Sequence, residues 1–376
     1  GRCKTPYCGP ACQKKHWEEG GHDKLCKKIR KSGGAEPYNA DTKYKEAVEA
    51  AAKKCAEDTK GQTCYICMEA VHRRTGEGLV RGCACGDRDG VASGTTGIAH
   101  VSCLAEQAKI LVDEAYDNRD LERLSAMWNR WASCSLCERE YHGIVKCALG
   151  WACWKTYVGG AEADGIRIMA MKQLGNGLDA SNHHEEALSV AEAELAMRRR
   201  LGDSEHNILA TQTNLACSYQ DVGRHEEALR LRRGVYSGRL RLNGEEHQST
   251  LIAAGNLADS LGHQRHYEEA RSLLRKSIPV ARRVLGESHD TTLRMRWLYA
   301  VALYDDDGAL DDLREAVTTL EDLERTARRV LGGAHPLVRV IERNQRESRD
   351  ALREREASSG VATRTRAARA RRSEEE

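Results

Sequence analysis

The stretch Asn214-Leu215-Ala216-Cys217-Ser218-Tyr219-Gln220-Asp221-Val222-Gly223-Arg224-His225-Glu226-Glu227-Ala228 decides the fold, because its parts recur. Asn256-Leu257-Ala258 lies 42 residues after Asn214-Leu215-Ala216. His225-Glu226-Glu227-Ala228 is preceded at 41 residues by His184-Glu185-Glu186-Ala187 and followed at 42 by Tyr267-Glu268-Glu269-Ala270. Successive units close at Leu201-Gly202, Gly244, Leu285-Gly286 and Leu331-Gly332, with spacings of 42, 42 and 46. Self-similarity at a fixed period is the signature of a solenoid. Within one unit, Ile208, Leu215, Tyr219 and Val222 recur at helical spacing, Gly223 breaks the helix, and Ala228, Leu231, Val235 and Leu242 line a second one. Neither helix can bury its stripe alone, so stacked neighbours must supply the missing surface.

These repeats resemble tetratricopeptide repeats in the longer form, ~42 residues, found in kinesin light chains. The resemblance implies a groove that binds proteins or peptides. Gly234 and Gly238 lie inside a predicted helix and cost roughly 1 kcal/mol each relative to Ala. Pro279 interrupts another helix and is expected to kink it. The fourth unit is longer and carries the acidic break Asp305-Asp306-Asp307-Gly308, so a soft solenoid is expected. His206, His247, His289 and His335 sit one at each inter-repeat turn, too far apart to share an ion, and read as turn caps.

The 376 residues allow two or three domains. With 59 basic and 57 acidic residues the net charge is +2, which gives no reason to expect nucleic acid or an anionic membrane as partner. No run of about 18 uncharged apolar residues occurs, so no membrane span is expected. Residues 1–30 are too polar for a signal peptide, and Gly1 in place of Met suggests a fragment. Fourteen of fifteen cysteines precede residue 154, in close pairs mixed with His; they read as zinc ligands in a reducing compartment, cytoplasmic or nuclear. The reading is mainly α. Residues 1–30 form a Cys/His unit, 31–60 a linker and helix, 61–160 a zinc module, 165–337 the repeats, and 338–376 a charged helical or disordered tail.

The central cluster runs Cys64-x-x-Cys67, Cys83-x-Cys85, His100-x-x-Cys103, Cys134-x-x-Cys137. Two thiolates on one tight turn can grip one tetrahedral zinc, and four such pairs furnish two sites. The pattern resembles the RING-CH, or RING-variant, family, with seven Cys and His in fifth place. By that resemblance the pairs bind alternately: Cys64, Cys67, His100 and Cys103 hold one zinc, and Cys83, Cys85, Cys134 and Cys137 the other. Such a cross-brace would make zinc binding and folding one event. Closed sites leave no position for an activated water. Members of the family dock a ubiquitin-conjugating enzyme, partly through an apolar residue in the first pair, which maps to Ile66. The chain departs from the family at Gln107, where Trp is usual, and at Glu138, where a basic residue is common. The helical stretch 104–131 carries Trp128 and Trp131, expected near the second zinc. The alternative is a PHD-like peptide reader, which shares the ligand order. Cys55, Cys147, Cys153 and Cys217 have no partner at ligand spacing and read as buried small hydrophobes.

The N-terminal unit, Cys3, Cys8, Cys12-Gln13, Trp17, His22 and Cys26, resembles the second half of a MYND zinc finger. By that resemblance Cys8 and Cys12 belong to one zinc, and Cys3, His22 and Cys26 to another, with earlier ligands falling before Gly1. The half-finger would hold at most one further zinc. Gln13 and Trp17 match positions of peptide contact.

Together these readings give a zinc-binding adaptor: a RING-type ubiquitin ligase with no covalent catalytic residue, its repeats recruiting substrate. The alternative is a non-enzymatic zinc-finger and repeat scaffold for protein–protein interaction. No Walker loop, dinucleotide fingerprint or nucleophile elbow is present.

Overall fold

The computed structural model describes residues 14, 22–83, 97–304, 309–333 and 335–375; side chains are described to residue 358. The described elements are almost all helix. The chain divides into two compact units, Gly1–Asp203 and Ser204–Glu376.

The first unit contains α1 (His22–Lys31), α2 (Ala35–Cys55), a hairpin of β1 (Val80–Arg81) and β2 (Ile98–Ala99), α3 (Val101–Asp117), α4 (Leu121–Trp128), α5 (Gly143–Tyr157), α6 (Gly165–Ala180) and α7 (His184–Arg200). Its centre is α5. The run Ile144–Trp154, too short to cross a membrane, forms a helix that is apolar on nearly every side, Lys146 excepted, and such a helix must be covered over most of its surface. Val145, Cys147, Ala148, Leu149, Ala152, Cys153 and Trp154 are all buried, and α2, α3 and α6 pack around them. The approach of α6 is very close. A Cβ on Gly150 would sit 3.2 Å from Leu174 Cα, and one on Gly177 only 2.8 Å from the Lys146 carbonyl oxygen. Small side chains let two backbones meet where larger ones would hold them apart. The helix pair α6/α7, which opens the repeat pattern in sequence, belongs to this unit.

The second unit contains α8 (Glu205–Asp221), α9 (His225–Asn243), α10 (Gln248–His263), α11 (Tyr267–Leu285), α12 (Asp290–Tyr304), α13 (Leu310–Leu331) and α14 (Pro336–Glu375). Each helix packs on the next in sequence, and α10 also packs on α12, as stacked pairs require. The pairs close on Gly244, Gly286 and Gly332 at φ +79, +94 and +81, a left-handed region that other residues enter only at a cost. Equivalent ion pairs recur, Arg241 with Glu205 and Arg283 with Glu246.

The expected defects resolve individually. Helix α9 passes unbroken through Gly234 and Gly238. At Gly238 an added Cβ would lie 2.8 Å from Leu209 Cδ2, so the leucine would have to shift, whereas one on Gly234 would meet nothing. Helix α11 continues through Pro279. Three of the four recurrent histidines cap helices. Nδ1 of His247, His289 and His335 accepts the backbone N–H of Ser249, Thr291 and Leu337 at 3.1, 3.2 and 3.2 Å. His206 does not, because Ser204 caps α8 instead. Its Nδ1 accepts from the buried Arg239 at 2.9 Å.

Candidate metal centre

Two turns of the first unit, 70 residues apart in sequence but alike in backbone, present the thiols. In the first, Cys64 N–H donates to the Glu69 carbonyl at 3.0 Å and Met68 N–H to the Cys64 carbonyl at 2.8 Å. In the second, Cys134 N–H donates to Arg139 at 2.9 Å and Glu138 N–H to Cys134 at 3.0 Å. Met68 and Glu138, one residue past each pair, both take positive φ, 62° and 59°. In each turn an amide aims at the first sulfur: Ile66 N–H at Cys64 Sγ and Leu136 N–H at Cys134 Sγ, both 3.4 Å. An amide aimed at sulfur stabilises thiolate. Burial raises the Cys64 thiol, but the backbone groups of Cys67, His100 and Ile66 outweigh it and hold it below its ordinary value.

The hairpin and α3 deliver the remaining ligands. Val80 pairs with Ala99 and Arg81 with Ile98, so Cys83 and His100 each lie just beyond a paired strand. His100 precedes α3 and Cys103 sits in its first turn, so the spacing of three places both on one side. Glu77 fixes this helix start: its carboxylate accepts Ser102 N–H at 3.0 Å and the Tyr44 hydroxyl at 2.9 Å.

One ligand atom each from Cys64, Cys67, His100 and Cys103 lie within 4.8 Å of one another, as do those of Cys83, Cys134 and Cys137. His100 Nδ1 is 3.4 Å from Cys67 Sγ and 3.7 Å from Cys103 Sγ. Ligands around tetrahedral zinc, with Zn–S near 2.3 Å, stand ~3.8 Å apart, so the spacing fits that ion. Charge argues the same way. Burial, then the neighbouring Cys64 and Cys67, push the Cys103 thiol well above its ordinary range, so the bare thiols oppose one another's ionisation. A divalent cation at their centre would reverse that opposition. Burial also keeps the His100 imidazole below its usual value, favouring the neutral ligand form, against the pull of the Ala70 backbone. His72 stacks edge-on against it at 5.3 Å.

Cys85 lies outside the described residues, as do Cys3, Cys8, Cys12, Gln13 and Trp17, and the His22 side chain is also undescribed. Cys26 is half-buried on α1. Ile66 is half-buried, packed against the unit's core. Gln107 faces Tyr65, whose hydroxyl is 3.5 Å from Gln107 Oε1 and 3.0 Å from Ser135 Oγ. The Tyr65–Ser135 contact joins the two turns, and the spacing alone did not reveal it. Leu136 was also missed, though the identical Cys-x-x-Cys order makes it the counterpart of Ile66. It is exposed, as is Met68. Trp131 is buried and, with Trp128, packs on Tyr157 of α5, each pair of ring centroids 5.9 Å apart. Cys55, Cys147 and Cys153 are buried as expected, but Cys217 is exposed and not a core residue, with Arg232 of α9 donating to its sulfur at 3.9 Å.

Among the described residues, no helix is long and apolar enough to cross a membrane. Residues 207–283 match the family model described as tetratricopeptide repeat, and the helices of the second unit pack each on the next in sequence. No curated protein matches the chain. Solved structures similar to it include a candidate kinesin light chain of Podosopora anserina with nearly identical TPR-like repeats. In two forms it shows 21% and 22% identity and TM-scores of 0.42 and 0.41, covering 61% of this chain and 97% of that one. BtubC (BKLC) from P. vanneervenii shows 14% identity and a TM-score of 0.38, over 67% of this chain and 92% of that one.

Proposed function

We propose that this chain is a non-enzymatic protein–protein interaction scaffold, in which tetratricopeptide-type pairs hold a partner segment and structural zinc folds a separate module. The observation that carries it is the match of residues 207–283 to tetratricopeptide repeats, a fold that presents extended concave binding surfaces. Cys64, Cys67, His100 and Cys103 would hold one zinc; Cys83, Cys134 and Cys137, with Cys85, would hold the second. Zinc in such closed sites contributes folding energy and no reaction chemistry. The thiols must stay reduced to serve, which favours a cytoplasmic or nuclear setting. Native mass spectrometry tests the zinc reading: two zinc ions per chain are expected, falling to one in Cys64→Ser and in Cys134→Ser. A third would point to the N-terminal Cys/His unit. A metal-free, folded chain would overturn it.

A second reading, a RING-type ubiquitin ligase, draws on one feature. Ile66 has an exposed apolar neighbour in its own turn, Met68, and a counterpart in the other, Leu136, 71% and 44% exposed. Incubating the zinc-loaded chain with ubiquitin and a panel of conjugating enzymes separates the two. The scaffold reading expects no chains; chains abolished by Ile66→Ala would establish the ligase instead.

A further inference from the structure

The second unit holds a cavity of about 390 Å³, walled by α10, α12 and α14 with the start of α11. The first three of these are the leading helices of successive pairs. Its base is small: Ala258, Ala270 and Ala302 are buried there, and a Cβ added to Gly262 would meet no atom within 4 Å. Its walls include the rings of Tyr267, Trp297 and Tyr304.

The hydrogen bonds of these walls decide what the cavity can take. Trp297 Nε1–H donates to Asn344 Oδ1 at 2.8 Å. Asn344 Nδ2 donates to the Tyr304 hydroxyl at 2.8 Å and to Glu347 at 2.9 Å. The Tyr304 hydroxyl donates to Glu347 at 3.2 Å, and His263 Nδ1–H to the Asp259 carbonyl at 2.8 Å. Trp297, Asn344, Tyr304 and His263 Nδ1 thus direct their donors to acceptors of the wall itself. The remaining capacity accepts: the carboxylates of Glu347 and Asp259, and His263 Nε2. Asp259 is held from behind by Arg232 at 3.2 Å. Arg343 is the one cation among the described lining residues; its side chain is 62% exposed and 3.8 Å from Glu347. Acceptors beside aromatic faces, with the solvent-exposed Arg343 as the one competing guanidinium among the described lining residues, favour a ligand that is positively charged and rich in N–H groups.

We propose that this cavity receives a cationic side chain, arginine or lysine, from a partner segment lying along the repeats. This rests on reading the repeats as a partner-binding array. The aromatic walls would enclose the side chain's methylenes while Glu347 meets its charge.

A displayed library of random dodecapeptides, screened against the full zinc-loaded chain, tests the proposal with two variants. Gly262→Met fills the cavity from a helix position where Met is a better helix former than Gly, so loss of folding does not explain loss of binding. Glu347→Gln keeps shape and removes charge. Recovered peptides are expected to carry Arg or Lys. Their synthetic forms should bind about tenfold more weakly to either variant, and equally more weakly when the Arg becomes citrulline. Binders lacking a basic residue, or indifferent to Gly262→Met, would overturn the cationic assignment and leave the scaffold reading standing. A library that yields no binder at all would overturn both.

Discussion

The turns at Cys64–Glu69 and Cys134–Arg139 and the helix pairs of Ser204–Glu376 face one problem: a short segment with too little apolar surface to hold itself. The turns converge on clusters of thiol and imidazole, and their backbone is folded to aim amides at sulfur. The pairs converge on each other, through stripes such as Leu257, Leu274 and Leu298 and through repeated caps and ion pairs. The difference is conditionality. A stacked helix keeps its neighbour in any buffer that keeps the chain folded, while a ring of ionisable thiols is a cohesive element only around a cation. Within the first unit a part escapes that condition, because α2, α5 and α6 pack through ordinary apolar contact, down to glycine-to-backbone approach at Gly150 and Gly177.

Stripping the metal should give the largest effect and test that contrast directly. On the zinc reading, excess chelator should abolish hydrogen-exchange protection across residues 62–83, 97–104 and 131–142 while α9 to α13 keep theirs, and α5 should retain most of its own. Uniform protection in chelator would mean the turns stand without an ion. Loss of protection throughout would mean the repeats depend on the module.

Second in size is a change at a buried charge in the repeats. Arg232 donates to the Asn256 carbonyl at 2.9 Å, to Asp259 and to Ser260 Oγ at 2.7 Å, with its side chain 6% exposed. Arg232→Ala leaves Asp259 buried without its counter-ion, at a cost of about 3 kcal/mol. The double variant Arg232→Met, Asp259→Leu should recover most of that in urea unfolding, because no unpaired charge remains. If both variants lose the same amount, packing of the arginine stem, and not its charge, holds α9 to α10.

How much of this was legible beforehand follows the same division. Periodicity and turn glycines write the repeats into the sequence, since a 42-residue period, helix breaks and Gly244, Gly286 and Gly332 are local signals. The resemblance to the RING-variant pattern likewise implies that Cys64, Cys67, His100 and Cys103 meet, and their ligand atoms do lie together. What escaped was set by contact between segments distant in sequence. Nothing in Tyr65 or Ser135 alone says that their hydroxyls meet. Gly238 reads as a defect until Leu209 is seen beside it, and Cys217, read as a buried small hydrophobe for want of a partner at ligand spacing, is exposed while its neighbours Leu215 and Ala216 are buried. The cavity beside Trp297 escaped too: Ala258 and Ala270 are legible as repeat positions, but that they leave a space together with Ala302 and Gly262 is set by how three helices meet.

That reading of the glycines predicts opposite signs within one helix. Gly238→Val should destabilise the chain by about 2 kcal/mol, because its side chain must displace Leu209. Gly234→Ala, into open space, should stabilise α9 by roughly 1 kcal/mol. Thermal unfolding of the two variants separates them, and a shared sign would refute the account of α9.

The smallest effects should come from the recurrent histidines, and they sharpen the comparison most finely, because sequence treats the four alike and the structure does not. At His247, His289 and His335 the imidazole nitrogen satisfies an amide at a helix start that has no partner within the helix. Replacing any of them with Ala should cost about 0.5 kcal/mol, and replacing it with Asp should cost nothing or stabilise, since Asp caps the same amide and its charge suits the helix N-terminus. His206 lies inside α8 behind Ser204, and its nitrogen instead accepts from Arg239, 6% exposed. His206→Ala removes an acceptor from a buried guanidinium and should cost more, about 1 to 2 kcal/mol. His206→Asp cannot restore a cap that was never there. Urea midpoints for the eight variants would show whether the Asp series rescues three positions and fails at the fourth. Equal rescue at all four would place His206 at a helix start and contradict the bond to Arg239.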